Sequence, residues 1–277
     1  MDIPRIPLGD WIESGLTWLT SEYSGVTRGI SRFTQTGIDV LNDGLMWLPA
    51  WALLGLIALL CWKLAGIRLA IGAAAGLALI WNLDLWDPMI ETLTLVVFAT
   101  MVAVVIALPV GIAAALSNRL YRVIMPILDF MQTMPAFVYL IPAIPFFGIG
   151  SVSAIFATVI FSMPPAIRFT TLGIRQVPVE LIEAADAYGA TRGQKLFKVQ
   201  LPLSLPTVMA GINQTIMLAL SMVVIAAMIG ADGLGSEVWR AIQRLRPGDG
   251  FEAGIAVVIL AMLLDRLTQS LRKTRNG

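Results

Sequence analysis

The chain has 277 residues, of which 57% are hydrophobic and 13% charged, and its mean hydropathy is +0.81. Soluble domains carry about 25% charged residues, so this composition excludes an ordinary soluble fold; the formal net charge of +1, with no basic patch interleaved with aromatics, gives no basis for binding nucleic acid. The one cysteine, Cys61, excludes a disulfide framework, and the absence of histidine removes the commonest general base and the commonest metal ligand.

Residues 1–45 are polar but patterned. Asp2, Asp10, Glu13 and Glu22 interrupt the first thirty residues, and there is no compact apolar run of the kind that marks a cleavable signal peptide. Ile12, Leu16 and Leu19 recur at helical spacing beside Trp11 and Trp18, followed by Val26, Ile30, Phe33, Ile38 and Leu41. Trp favours the membrane–water interface. Two readings fit: an amphipathic helix lying on the membrane surface, or a small helical cap packed on the protein itself.

Seven apolar stretches follow, to be judged against the roughly 20 residues that span a bilayer. They are Met46–Trp62, which is short; Leu64–Leu83, with Arg68 near one end; Thr92–Leu116, with Pro109 inside; Val123–Phe147; Val152–Leu172, with Pro164 and Pro165 near its end; Thr207–Ile229; and Ala253–Leu271, with Asp265 and Arg266 toward its end. The closely spaced first pair could instead form a re-entrant or interfacial hairpin, which would lower the count.

The fourth stretch is the most irregular. Pro135, Pro142 and Pro145 fall in one short segment, and each removes a backbone donor and clashes one turn back. In lipid such breaks survive where protein or a water-filled cavity satisfies the freed carbonyls, and broken helices near the midplane are where transporters bind or gate. The segment therefore reads as lining a translocation path. Phe137, Tyr139, Phe146 and Phe147 would offer ring faces to a cation; the alternative for each is kinked packing against lipid or neighbouring helices.

Between the fifth and sixth stretches lies the longest polar interruption after residue 45. Pro178 suits a helix start. Glu180, Glu183 and Asp186 put negative charge toward the helix N-terminus, and Ala184, Ala185 and Ala187 are strong helix formers. Gly189 can take the left-handed conformation that ends a helix. Arg192, Lys195 and Lys198 follow, then Pro202 and Pro206. The pattern predicts helix, turn, helix over about 173–206. In the sixth stretch Asn213, Gln214 and Ser221 either hydrogen-bond between helices or face a polar path. The glycines of Gly230, Gly233 and Gly235 are not a phosphate loop, since no Gly-Lys-Ser/Thr accompanies them and the chain holds no Walker A sequence.

Lys and Arg set orientation. With the polar loop inside, Lys63, Arg68, Arg119, Arg122, Arg168, Arg175, Arg192, Lys195, Lys198, Arg266, Arg272, Lys273 and Arg275 fall inside, against Arg5, Arg28, Arg32, Arg240, Arg244 and Arg246 outside. The Asn82–Ile90 loop has no basic residue and carries Asp84 and Asp87. The N-terminus is then outside and the C-terminus cytoplasmic.

Glu183, Ala184, Ala185, Gly189, Leu201 and Pro202, with Val199 where Ile is usual, resemble in register the cytoplasmic Glu-Ala-Ala loop of bacterial ATP-binding-cassette (ABC) importer permeases. Met131–Phe137, Gly173–Pro178, Gly211–Thr215, Ala241–Leu245 and Gly250–Arg266 look like glycine betaine/proline betaine permeases of the ProW type. The likeness is close over about 90–270 and looser at Ile6–Trp11. Asp232 departs from it, standing where many relatives have Gly, at the outer mouth.

The resemblance implies an all-α integral membrane protein in three parts. Residues 1–45 form the N-terminal amphipathic segment, 46–90 two peripheral spans, and 91–277 a five-helix ABC permease core, about seven transmembrane helices in all. It implies a non-enzymatic permease subunit for a quaternary-ammonium or related compatible solute (glycine betaine, proline betaine, choline or trimethylamine N-oxide) in the bacterial inner membrane. Two copies pair as a homodimer in membrane lipid. Two separate ATPase subunits, which hold the ATP and Mg, grip the coupling residues Glu183, Ala184, Ala185, Gly189, Arg192 and Lys195, and an external binding protein recognises the solute. Phe137, Tyr139, Phe146, Asn213, Gln214 and Ser221 are the candidate path residues. No domain is expected after the last span, so the binding protein would be a separate chain. Other classes remain: an ABC permease for another small solute such as an amino acid, a membrane scaffold, or an ion-coupled secondary transporter. The last needs a deep ionisable residue, for which Asp129 is the one candidate.

Overall fold

A computed structural model describes residues 7–273 of the chain. Asp2, Arg5, Ile6 and Arg275 lie outside the described residues, as do the side chains of Arg272 and Lys273. Among the described residues every regular element is helical.

The N-terminal segment is two helices, α1 (Leu8–Glu22) and α2 (Ser24–Met46). On α1, Trp11, Ile12 and Trp18 are exposed, whereas α2 buries Thr34 and Ile38 against the protein. A Cβ at Gly37 would overlap the Phe98 ring, and Phe33 stacks at a tilt on Phe98 with centroids 6.4 Å apart. Residues 24–46 thus pack as a cap on the core.

The first two apolar stretches fold as α3 (Ala50–Ala65) and α4 (Ile67–Asn82), a hairpin turned at Gly66. Each has 16 residues, about 24 Å at 1.5 Å per residue, short of the ~30 Å hydrocarbon core. Helix α3 leaves α2 at a bend of 96°. By length each helix falls below the usual span, and the hairpin packs beside the core as a pair.

The core is α5 (Trp86–Leu116), α8 (Ser151–Arg175) and α11 (Leu201–Ala226), with α8 packed between the other two. Small residues bring the backbones together, as association in lipid favours. A Cβ at Gly111 would lie 2.7 Å from Thr170 Cβ, and one at Gly211 2.6 Å from Phe169 Cβ. Thr171 Oγ1 donates to the Gly111 carbonyl across the α5–α8 seam, at 3.0 Å. Pro164 and Pro165 are buried inside α8 without ending it, tolerated because neighbouring helices cover the freed carbonyls.

The expected fourth span is broken. Helix α6 (Asn118–Thr133) ends before Pro135, a 3-10 turn covers Ala136–Tyr139, and α7 (Leu140–Phe147) leaves α6 at 111°. After α8 come α9 (Val179–Ala187) and α10 (Arg192–Lys195), described below, and after α11 come α12 (Leu234–Gln243) and α13 (Pro247–Lys273). A Cβ at Gly76 of α4 would come 2.7 Å from Ile259 Cγ2 of α13, so the hairpin rests on α13.

By length and composition α5, α8 and the continuous helix Arg192–Ile229 can each cross a bilayer, or up to five spans if each bent pair counts as one. The expectation of seven is not reproduced. The apolar run of α13 is confined between Glu252 and Asp265, shorter than a bilayer requires.

Tertiary contacts sort the charges to two ends. At one end Arg175 bonds Asn118, and Arg68 and Arg266 line one cleft with Gln269. At the other, the Asp232–Leu234 turn docks on α5: the Leu234 N–H donates to Thr92 Oγ1 at 2.8 Å. Gly233 sits there at φ +112, where a Cβ would fall 2.5 Å from Thr92 Oγ1. Asp232 has Glu91 as a charged neighbour, itself close to Asp87, Glu237 and Arg240.

Candidate functional site: a helical loop and a broken span

The polar loop between α8 and α11 is a closed helix-turn-helix. Pro178 (φ −52, ψ 133) caps α9 rather than entering its first turn. Gly189 takes φ +74, which ends the helix as its lack of a Cβ allows. Its N–H donates to the Asp186 carbonyl at 2.9 Å, and the Ala190 N–H donates to the Ala185 carbonyl at 3.0 Å. A capping box starts the second helix: the Gln194 N–H donates to Thr191 Oγ1 and the Thr191 N–H to Gln194 Oε1. Lys195 Nζ lies 2.6 Å from Asp186 Oδ1 and ties the two helices together.

Helix α10 runs on through a π-helical turn, Leu196–Gln200, into α11. Pro202 has no N–H for the Lys198 carbonyl and its ring crowds that oxygen. The turn widens instead, and the Leu201 N–H reaches back to the Leu196 carbonyl. Motion of the loop therefore enters α11 without an intervening coil.

Glu183, Ala184 and Arg192 are exposed, Ala185 and Lys195 half-buried. No residue of α9 is buried. Val179, Leu181, Tyr188 and Phe197 are also exposed, Tyr188 at 93%. The loop thus exposes four large hydrophobic side chains among its charged ones.

Arg175 was visible in the sequence only as one more cation. It anchors the base of this loop, with Nη2 donating to the Ala114 carbonyl (3.2 Å) and to Asn118 Oδ1 (2.8 Å). Its guanidinium lies 4.1 Å from the Tyr121 ring centroid. It locks the α5–α6 corner to the end of α8, and Asn118 is 57 positions away, so no local signal marks the pair.

The residues of the broken span divide. Tyr139 is buried; its hydroxyl donates to the Met131 carbonyl and its ring meets Phe161 edge-on at 5.6 Å. It braces the bend, and its ring face is closed in this conformation. Phe137, two residues away, is 51% exposed. Phe146 and Phe147 are half-buried, and Phe147 packs on Phe156 at 4.7 Å. The 3-10 turn rests on α8 and α11.

On α11, Gln214 and Ser221 are exposed on one face, two turns apart, while Asn213 is half-buried. Asn213 Nδ2 donates to Asp265 Oδ1 at 2.9 Å, and Gln269 Nε2 donates to the same carboxylate at 2.8 Å. Asn213 thus cross-links α11 to α13, and among the described residues its Oδ1 is buried without a hydrogen-bond partner. Asn213 and Gln214 line a cleft of about 370 Å³ with Phe169, Met209 and Thr268. Ser221 Oγ donates to the Met217 carbonyl of its own helix. Asp129 is not a lone charge: Arg168 Nη2 lies 2.6 Å from its Oδ1.

Comparison with known proteins agrees with this arrangement. A family model described as "Binding-protein-dependent transport system inner membrane component" matches residues 107–273. The glycine betaine transport system permease protein OpuAB of Bacillus subtilis (strain 168) is 50% identical over 270 residues, covering 98% of this chain and 96% of its own. The glycine betaine/proline betaine transport system permease protein ProW of Escherichia coli (strain K12) is 45% identical over 269 residues, covering 96% of this chain and 75% of its own. Among solved structures, an inward-facing conformation of the MetNI methionine ABC transporter superposes with a TM-score of 0.63 at 25% identity, over 69% of this chain and 95% of that one. These relatives are membrane permease components rather than enzymes. The chain belongs to the family of inner-membrane components of binding-protein-dependent transport systems.

Proposed function

We propose that the chain is the permease subunit of an ATP-driven importer for glycine betaine or a related compatible solute. Two copies pair around one path. Two ATPase subunits, which carry ATP and Mg, each grip one 173–206 loop on the cytoplasmic side, and an external binding protein delivers the solute to the opposite face. The N-terminus is outside and the C-terminus cytoplasmic. The path runs past Phe137 and the Gln214–Ser221 face of α11, while Tyr139 holds the bend that positions Phe137.

The observation that carries this reading is the loop. It is rigidly built by Gly189, the Thr191–Gln194 box and the Asp186–Lys195 pair, joined directly to α11, and left with exposed Val179, Leu181, Tyr188 and Phe197. Such a surface fits a partner groove better than water, and its helical continuity gives a lever into the membrane. The names of the relatives support the substrate class. In reconstituted complexes with the cognate ATPase and binding protein, ATP hydrolysis should rise when the binding protein is loaded with glycine betaine. Hydrolysis that responds to an amino acid and not to betaine would replace the substrate; failure of the ATPase to co-purify would remove the coupling reading.

A further inference from the structure

Helix α6 has a polar side that its own chain leaves open. Arg122, Asp129, Gln132 and Thr133 fall at helical spacing and are all exposed. Charged side chains facing hydrocarbon are costly, so in membrane proteins they face a water-filled cavity or other protein. Arg168 reaches this side from α8, about 10 Å before that helix ends at Arg175, at 1.5 Å per residue. Its ion pair with Asp129 stays open, with 38% of the Arg168 side chain and 63% of the Asp129 side chain exposed. The pair also has spare capacity. Among the described residues, Arg168 contacts Asp129 through Nη2 alone, its Nε is buried without a partner, and no hydrogen bond engages Asp129 Oδ2.

We infer that the Arg168–Asp129 pair is a transient subsite for zwitterionic solutes in the translocation path. This rests on the betaine reading above and adds to it the residues that meet the solute's two charges. A betaine carries a carboxylate at one end and a quaternary ammonium at the other. Its carboxylate takes the Arg168 guanidinium, and its ammonium, which donates no hydrogen bond, sits against the Asp129 carboxylate. One internal ion pair is exchanged for two protein–solute pairs. Each charge has a partner before and after the exchange, so neither protein ion is stranded. When the solute leaves, the internal pair re-forms and competes for the site, so binding stays weak enough for release, as conduction requires. Trimethylamine N-oxide satisfies the same geometry through its oxygen. Choline, a cation without an acidic group, would leave Arg168 unpaired and should pass poorly.

The test uses the reconstituted complex of this chain with its ATPase and binding protein, carrying Arg168→Gln and Asp129→Asn together. The two amides can still hydrogen-bond, and no charge is stranded. Glycine betaine uptake and betaine-stimulated ATP hydrolysis are measured on the same vesicles. Uptake per ATP hydrolysed should fall about tenfold or more, the effect of losing a charge-assisted hydrogen bond in passage, while hydrolysis is retained. Parental uptake per ATP in that double variant overturns the inference. If the double variant does not assemble, Arg168→Lys decides: it keeps the charge and gives up the spare donors. Reduced uptake per ATP then supports the subsite, and unchanged uptake refutes it. A parental complex that moves no betaine at all sinks the substrate reading, and this inference with it; a parental complex that does, with indifferent variants, sinks only the subsite.

Discussion

Replacing Gly189 separates the conformation of the loop from its contacts. The residue stands at φ +74, and nothing lies within 4 Å of a Cβ built there. Within the chain an added Cβ therefore meets nothing, and the cost of substitution in the free loop is set by the backbone. A left-handed conformation costs a residue with a Cβ about 1–2 kcal/mol, with Asn the most tolerant and β-branched residues the least. The order of damage should be Gly189→Asn, then Gly189→Ala, then Gly189→Val. If the ATPase binds the closed turn, a penalty of 1–2 kcal/mol on that state should weaken its affinity by about 5- to 30-fold. The assay is titration of purified ATPase onto the chain in nanodiscs, with membrane insertion checked on the same preparations. Equal affinity for the Val and parental forms would refute the reasoning, and so would an Asn variant as damaged as Val.

Further expectations follow from single contacts. Thr92→Val removes the acceptor of the buried Leu234 N–H and should lower stability by about 1–3 kcal/mol, read as an earlier thermal midpoint in detergent; an unchanged midpoint would mean the Asp232–Leu234 turn is held elsewhere. Tyr139→Ala should destabilise by about 3–5 kcal/mol as a buried aromatic does, whereas Phe137→Ala should assemble normally and slow solute uptake. Matching stability and matching uptake in these two variants would contradict their division into brace and path. Reporters fused after Lys273 should be cytoplasmic and those within 82–88 external, and an internal signal from 82–88 would reverse the placing of the α3–α4 hairpin.

What was legible in the sequence was local. Pro178, the Glu/Ala run and Gly189 each act within a turn of themselves, so the helix-turn-helix and the left-handed glycine could be read directly. The prolines after Met134 foretold a break, and the chain does break there. The sequence places the start of the sixth stretch at Thr207, but its helix begins fifteen residues earlier, at Arg192, because the wide turn before Pro202 absorbs the proline without stopping it. Apolar length alone does not fix how deep the hairpin at Gly66 sits, since α3 and α4 are each apolar and 16 residues long. Burial at Tyr139 depends on Phe161 and the Met131 carbonyl. The Asn213–Asp265, Arg168–Asp129 and Arg175–Asn118 pairs span 52, 39 and 57 positions, separations at which composition and periodicity carry no information.

The central claim is that ATP hydrolysis, gripped at the 173–206 loop, drives betaine from one face of this chain to the other. The measurement is labelled glycine betaine uptake into sealed vesicles holding the chain with its ATPase, with ATP and the binding protein each supplied to a chosen side. Transport should occur only with ATP on the side of the Glu183–Lys195 loop and the loaded binding protein on the opposite side. Uptake that runs on an ion gradient without the ATPase, or that needs ATP and the binding protein on the same side, would contradict it.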